Sequence, residues 1–202
     1  MRNIKIFTYL KIILLLLLVF VAVYYPTNEF DVITSNLLQI KILGQTAKII
    51  STIFNDKILL LIMVLLSAFL FWIKEAKKAI FIFFSAGFGG LILFIIKYTV
   101  QRVRPLPEVF SGYSFPSGHS TIIVVFFLSL LFIINKKEIL SMLATFAIIA
   151  VPISRVVLGA HFLSDVVAGL LLGSIVVDFM KVYYKKIYNI IRSIIGENKW
   201  IS

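Results

Sequence analysis

The chain has two histidines in 202 residues, and both lie in short polar runs that interrupt an otherwise apolar sequence. His119 closes the run Phe115-Pro116-Ser117-Gly118-His119. His161 follows Ser154-Arg155 and precedes Asp165 by four residues, one helical turn, a spacing that sets an imidazole against a carboxylate. Upstream, Lys97 is followed after six residues by Arg104-Pro105. The three clusters together supply two imidazoles, one carboxylate and three cations. Phosphate-ester chemistry calls for such a set: positive charge to hold phosphoryl oxygens, a nucleophile, and a proton donor for a poor leaving group.

Lys97 through Arg104-Pro105, Pro116-Ser117-Gly118-His119, and Ser154-Arg155 through His161 to Asp165 resemble, in order and spacing, the three-part signature of the type 2 phosphatidic acid phosphatase superfamily. Three separate clusters must coincide for this match, which makes it far more specific than a lone glycine-rich loop. It occupies roughly residues 97–165, and the flanking hydrophobic segments fit the membrane branch of the family rather than its soluble acid phosphatases and vanadium haloperoxidases. The resemblance implies a membrane phosphatase whose substrate is a lipid phosphate or diphosphate, with phosphatidic acid, phosphatidylglycerol phosphate, undecaprenyl diphosphate and lipid A as family candidates. A lipid phosphotransferase using the same intermediate is the alternative. A non-catalytic lipid-phosphate transporter would explain the cations but leave the pairing of His161 with Asp165 without work.

The resemblance also implies roles. His161 is the nucleophile and would form a phosphohistidine, with Asp165 accepting its other ring N–H and stabilising the cation formed on attack. His119 is the general acid that protonates the departing oxygen and then activates water. Lys97, Arg104 and Arg155 hold the phosphoryl oxygens. Ser117 and Gly118 precede an apolar run, where a helix N-terminus would aim free N–H groups at phosphate and Gly118 would permit close approach. Arg102 has no motif role and reads as a cation snorkelling at the interface. No metal or cofactor is expected: the outer segments offer only Glu29, Asp31, Asp56, Glu108 and Asp165 as acids, with Asp165 engaged.

Composition sets the frame for these residues. At 61% hydrophobic and mean hydropathy +1.07, the chain lies well above the roughly 45–50% apolar content of soluble domains. We expect an all-α, integral membrane bundle of six helices forming a single domain, residues 1–202, with the bilayer and a membrane lipid phosphate as its partners. Six apolar runs mark the spans: Ile6 to Tyr25, Ile58 to Ile73, Ala79 to Ile96, Thr121 to Ile134, Ile139 to Ile153, and Val166 to Met180. The net charge of +11 does not point to nucleic acid, because the basic residues flank apolar runs instead of forming one face. With no cysteine, thiol usage says nothing about compartment. Oligomeric state stays open.

Charge predicts orientation. Thirteen of the 20 Lys and Arg residues (Arg2, Lys5, Lys11, Lys74, Lys77, Lys78, Lys136, Lys137, Lys181, Lys185, Lys186, Arg192, Lys199) fall on one side of the six-span arrangement. The positive-inside rule assigns that side to the cytoplasm, with both termini, in what we expect to be a bacterial plasma membrane. The three motifs then face outward. Phe30 to Phe54 mixes apolar and polar residues and predicts an amphipathic helix on the outer surface after the first span, suited to admitting a lipid or to connecting two spans. Asp178, near the cytoplasmic end of the last run, is expected to reach the interface or to pair with Lys181. Gly87, Gly89, Gly90, Gly169 and Gly173 are expected to let helices of the same chain approach closely.

Overall fold

The computed structural model describes residues 6–39, 41–134 and 138–195, which form helices joined by turns and contain no strand. In chain order the helices are α1 (Ile6–Tyr24), α2 (Glu29–Leu38), α3 (Gly44–Ile53), α4 (Asp56–Trp72), α5 (Ala76–Val100), α6 (Gly118–Ile133), α7 (Glu138–Val157) and α8 (Leu163–Ile195), with a 3-10 turn at Lys41–Leu43. Their starts are written locally. Asn28 caps α2 by accepting the Asp31 N–H at 3.0 Å, Asn55 caps α4 by accepting the Lys57 N–H at 3.0 Å, and Ser117 caps α6. α5 stops at Gln101, which adopts the left-handed conformation (φ 52°) ahead of Pro105.

Among the described residues, five helical stretches are long and apolar enough to cross a membrane: Ile6–Tyr24, Gly44–Trp72, Ala76–Val100, Glu138–Val157 and Leu163–Ile194. The second contains both α3 and α4, which we treat as separate because Asn55 leaves the helical conformation and caps α4. α6 is equally apolar but has 16 residues, about 24 Å at 1.5 Å per residue. It is the centre of the bundle and packs against α4, α5, α7 and α8. Its apolar residues surround the whole helix, and Ile122, Ile123, Val124, Val125 and Phe127 are all buried, as a helix enclosed by others requires. The outward faces of α1 and α4 instead expose Leu14, Leu17, Leu61 and Leu65, fitting a hydrocarbon solvent.

The fit of α8 against α6 depends on two glycines. A Cβ on Gly169 would stand 2.7 Å from the Ser117 carbonyl oxygen, and one on Gly173 would stand 2.5 Å from that of Thr121. These glycines serve packing within the chain. The expected pairing of Asp178 also extends further. Its carboxylate accepts from Lys11 at 2.7 Å and Thr8 at 3.1 Å, with Lys181 at 3.9 Å, because α1 lies against this part of α8.

The segment from Phe30 to Phe54 differs from the single helix expected. It is two helices, α2 and α3, separated by the turn at 41–43. Their burial is reversed relative to a soluble amphipathic helix: Asp31 and Ser35 of α2, with Ala47 and Ser51 of α3, face inward, while Phe30, Ile33, Leu37, Ile49 and Ile53 are exposed. The physical reason is the polar site beneath them, which takes the carboxylate and hydroxyl and leaves the apolar side for lipid. Ile40 and Lys136, Lys137, Arg2, Lys5 and Lys199 of the charge argument lie outside the described residues.

Candidate active site

The turn after α5, the start of α6 and the α7–α8 turn meet at one end of the bundle, and hydrogen bonds tie the three motifs to one another. Lys97, in the last turn of α5, donates to the carbonyls of Tyr113 (2.8 Å), Pro116 (3.0 Å) and Ser114 (3.3 Å). Arg104 donates to the Ala160 carbonyl at 2.8 Å and to those of Ser111 and Gly112 at 3.0 and 3.1 Å. The Ser117 N–H donates to the Asp165 carbonyl at 3.0 Å. The first motif thus holds the second and third, and the second holds the third.

His161 sits in the short turn between α7 and α8 and is 2% exposed. Its Nε2 lies 3.2 Å from Nη1 of Arg104. Guanidinium nitrogens only donate, so Nε2 must present its lone pair and the ring proton must sit on Nδ1. Nδ1 points at Oδ2 of Asp165, 3.6 Å away, in register for a hydrogen bond but too long to be one, and it has no other partner. Burial, the largest influence, pushes this imidazole down to about 4; Asp165 opposes the shift, and Arg104 and Lys97 add to it. The ring is therefore neutral at pH 7, with its lone pair turned toward Arg104.

Asp165 is more firmly held than the histidine it faces. Oδ2 accepts the Phe162 N–H at 2.9 Å and the Ser114 hydroxyl, while Oδ1 accepts from Arg102 at 2.7 Å. This corrects the reading of Arg102. Its side chain is 0% exposed and bridges Asp165 and Asp31, also at 2.7 Å, because the turn after α5 carries it inward under α2. A snorkelling cation would keep its head in water.

His119 stands at the start of α6, with Nδ1 3.5 Å from Oδ2 of Asp56 in the first turn of α4. Asp56 also explains Gly118, where a Cβ would come within 2.7 Å of that same oxygen. Ser117 is buried as the α6 cap, its Oγ accepting from Ser120 Oγ at 3.0 Å while its own proton stays available. Arg155 donates to the Ser51 hydroxyl of α3 and lies 5.7 Å from the Phe110 ring, and its Nε is buried without a partner. Arg102, Asp31, Asp56, Ser114 and Ser51 escaped the sequence reading. Asp31 and Asp56 were visible only as members of a short pool of outer acids, and no local pattern joined them to the motifs. Among the described residues, no three His, Cys, Asp or Glu gather into a metal-binding group.

The all-helical bundle thus gathers two imidazoles, three carboxylates and four cations at one end, a set with the charges and proton-transfer groups that phosphate-ester chemistry calls for. The chain belongs to the PAP2 superfamily, whose model matches residues 78–188. It is 32% identical over 140 residues to phosphatidylglycerophosphatase B of Bacillus subtilis, covering 64% of this chain and 69% of that protein. It is 33% identical over 107 residues to lipid A 1-phosphatase of Rhizobium johnstonii, covering 46% of this chain and 43% of the relative. The crystal structure of the transmembrane PAP2-type phosphatidylglycerolphosphate phosphatase of B. subtilis superposes with a TM-score of 0.74 at 26% identity, over 89% of this chain and 96% of that one. The protein is thus an integral membrane member of a family of lipid phosphatases.

Proposed function

We propose that this protein hydrolyses a lipid phosphate or lipid diphosphate through a phosphohistidine on His161, at the outer interface of a six-span bundle. The observation that carries the proposal is the pose of His161: Nε2 bears the lone pair 3.2 Å from Arg104, and Nδ1 faces Asp165. A phosphoryl group held by Arg104 and Arg155 would lie against Nε2, with Lys97, whose ammonium protons go to the Tyr113, Ser114 and Pro116 carbonyls, adding positive charge behind them. Attack forms the N–P bond and leaves positive charge on the ring, which draws Nδ1–H and Asp165 together. His119, oriented by Asp56, gives its proton to the departing oxygen and takes one from the water that releases phosphate. The N–H groups at the start of α6 and the Ser117 hydroxyl add neutral donors.

The reaction needs no metal in this scheme, because the cations are built in; activity should survive EDTA. Lipid substrates fit because the site lies at the end of membrane helices beneath α2 and α3, whose apolar faces are turned outward. Tail burial contributes about 0.8 kcal/mol per CH₂. The test is phosphate release by purified protein from a series with one headgroup and lengthening tails, at fixed detergent mole fraction. kcat/KM should rise with tail length and then level off. A flat series, or a soluble ester that outperforms every lipid, would overturn the lipid assignment.

A further inference from the structure

We infer that Arg102 and Asp31 are positioning residues for phosphoryl transfer: Asp31 balances Arg102, and Arg102 holds Asp165 so that its charge stays directed at His161. The inference rests on the nucleophilic role proposed for His161. The side chains of Arg102, Asp31 and Asp165 are all 0% exposed. Nη2 of Arg102 is 2.7 Å from Asp31 Oδ2, and Nη1 is 2.7 Å from both Asp165 Oδ1 and Ser164 Oγ. Nε donates to the Pro26 carbonyl at 2.8 Å, and the guanidinium lies 4.2 Å from the Phe162 ring centre. Desolvating an ion triad is costly, and apolar residues of similar volume would pack as well, so stability alone is a weak reason for these residues.

The charges supply a better reason. Arg102 with Asp165 alone would be a neutral pair, leaving little field for His161. With Asp31 added, one cation stands between two carboxylates, and the triad carries one net negative charge beside a ring that turns cationic when Nε2 bonds phosphorus. The hydrogen bonds divide Asp165 accordingly: Oδ1 faces Arg102, and Oδ2 faces Nδ1 of His161. Asp31 reaches the triad from α2, outside the motif region, and is fixed by Asn28 and by the Ser164 N–H and hydroxyl. The other charged groups acting on His161 are Arg104 of the α5–α6 turn and Lys97 of α5. Arg155 of α7, Asp56 of α4 and Arg104 act on His119.

Asp31→Asn keeps the size and one acceptor oxygen, enough for the Ser164 N–H, while removing the charge. It should lower kcat by about 10–100-fold, the usual cost of losing an outer-shell partner, with KM nearly unchanged. The chain has two histidines, so ¹⁵N-histidine labelling of protein purified through a histidine-free tag, with His119→Ala for assignment, follows His161 directly. Its protonation midpoint should move lower in Asp31→Asn, because a negative charge that supports the imidazolium is gone. Water entering a disrupted site would instead raise it toward the ordinary value near 6.5. Native kcat, or a midpoint that stays or rises, overturns the inference. If Asp31→Asn is not recovered as monodisperse protein, Arg102→Lys carries the test: one ammonium cannot serve both carboxylates and the Pro26 carbonyl, so kcat should fall at constant KM, and native kcat overturns the inference. His161→Ala separates the two levels. Near-native turnover there removes the phosphohistidine reading and this inference together, whereas an inactive His161→Ala beside a native Asp31→Asn removes this inference alone.

Discussion

His161 and His119 share a residue type but occupy different settings, which fit the different tasks proposed for them. His161 is enclosed, with one nitrogen aimed at a seated carboxylate and the other at Arg104; His119 lies 3.5 Å from an Asp56 side chain that is itself 25% exposed. His161→Ala should therefore abolish turnover, and His119→Ala should lower it by about 10²–10⁴, the range of general acid catalysis. Asp165→Asn should also impair kcat with little change in KM. The pH dependence follows from the same enclosure. Because burial holds His161 down to about 4, the nucleophile is deprotonated and competent above that pH and is lost by protonation only as pH falls through it. A profile of kcat/KM between pH 4 and 8 should show no acid limb near 6.5 that shifts with Asp165→Asn. Such a limb would mean that His161 titrates like an exposed imidazole.

The residues that a sequence reading recovers here are those whose partners lie nearby in the chain or in a fixed motif. His161 and Asp165 are four apart, and the cap at Ser117 is followed at once by its helix. Arg102 and Asp31 are 71 residues apart, and their pairing depends on α2 folding back over the turn after α5. Asp56 meets His119 only because α4 starts beside the start of α6. Charged residues in a membrane protein have a ready alternative at the interface, so without the tertiary contacts Arg102 reads as a surface cation.

At the level of elements, apolar runs locate helices better than they locate helix ends. The last run fades near Met180, yet α8 continues to Ile195, because a helix leaving the hydrocarbon can go on in water with Lys185 and Lys186 exposed. The pattern over 30–54 conveyed amphipathicity but not the break at 41–43, and the inward direction of its polar side follows from the site below. Helix contacts give a test. Gly173→Ala places a methyl 2.5 Å from the Thr121 carbonyl and 2.9 Å from Val124 Cβ, so α8 must move off α6 at a cost of about 1–3 kcal/mol. Gly87→Ala meets nothing within 4 Å and should stabilise α5 by about 0.5–1 kcal/mol through helix propensity. Thermal unfolding in detergent should show Tm falling for the first and holding or rising for the second. Equal losses would mean that close approach is not what Gly173 provides.

At the scale of the whole molecule, the chemistry and the excess basic charge occupy opposite ends of the bundle. Lys97, Arg104 and Arg155 gather where α5 and α7 end and α6 and α8 begin, whereas Lys77 and Lys78 lie at the start of α5 and Lys185 and Lys186 lie far along α8. Cations at translocated ends resist insertion, so a cluster of lysines stays in the cytoplasm unless function requires otherwise. On the proposed reading the motif cations are the functional exception, and the lysines at the other end predict a site on the outer face with the C-terminal end of α8 inside. The chain has no cysteine, so single cysteines can be read without background. Ser111, exposed in the turn before α6, and Lys185, exposed on α8, are suitable positions. On intact cells an impermeant maleimide should label Ser111→Cys and spare Lys185→Cys, and permeabilisation should make both reactive. Labelling of Lys185→Cys alone before permeabilisation would turn the protein over in the membrane and give the site cytoplasmic lipids as its substrates.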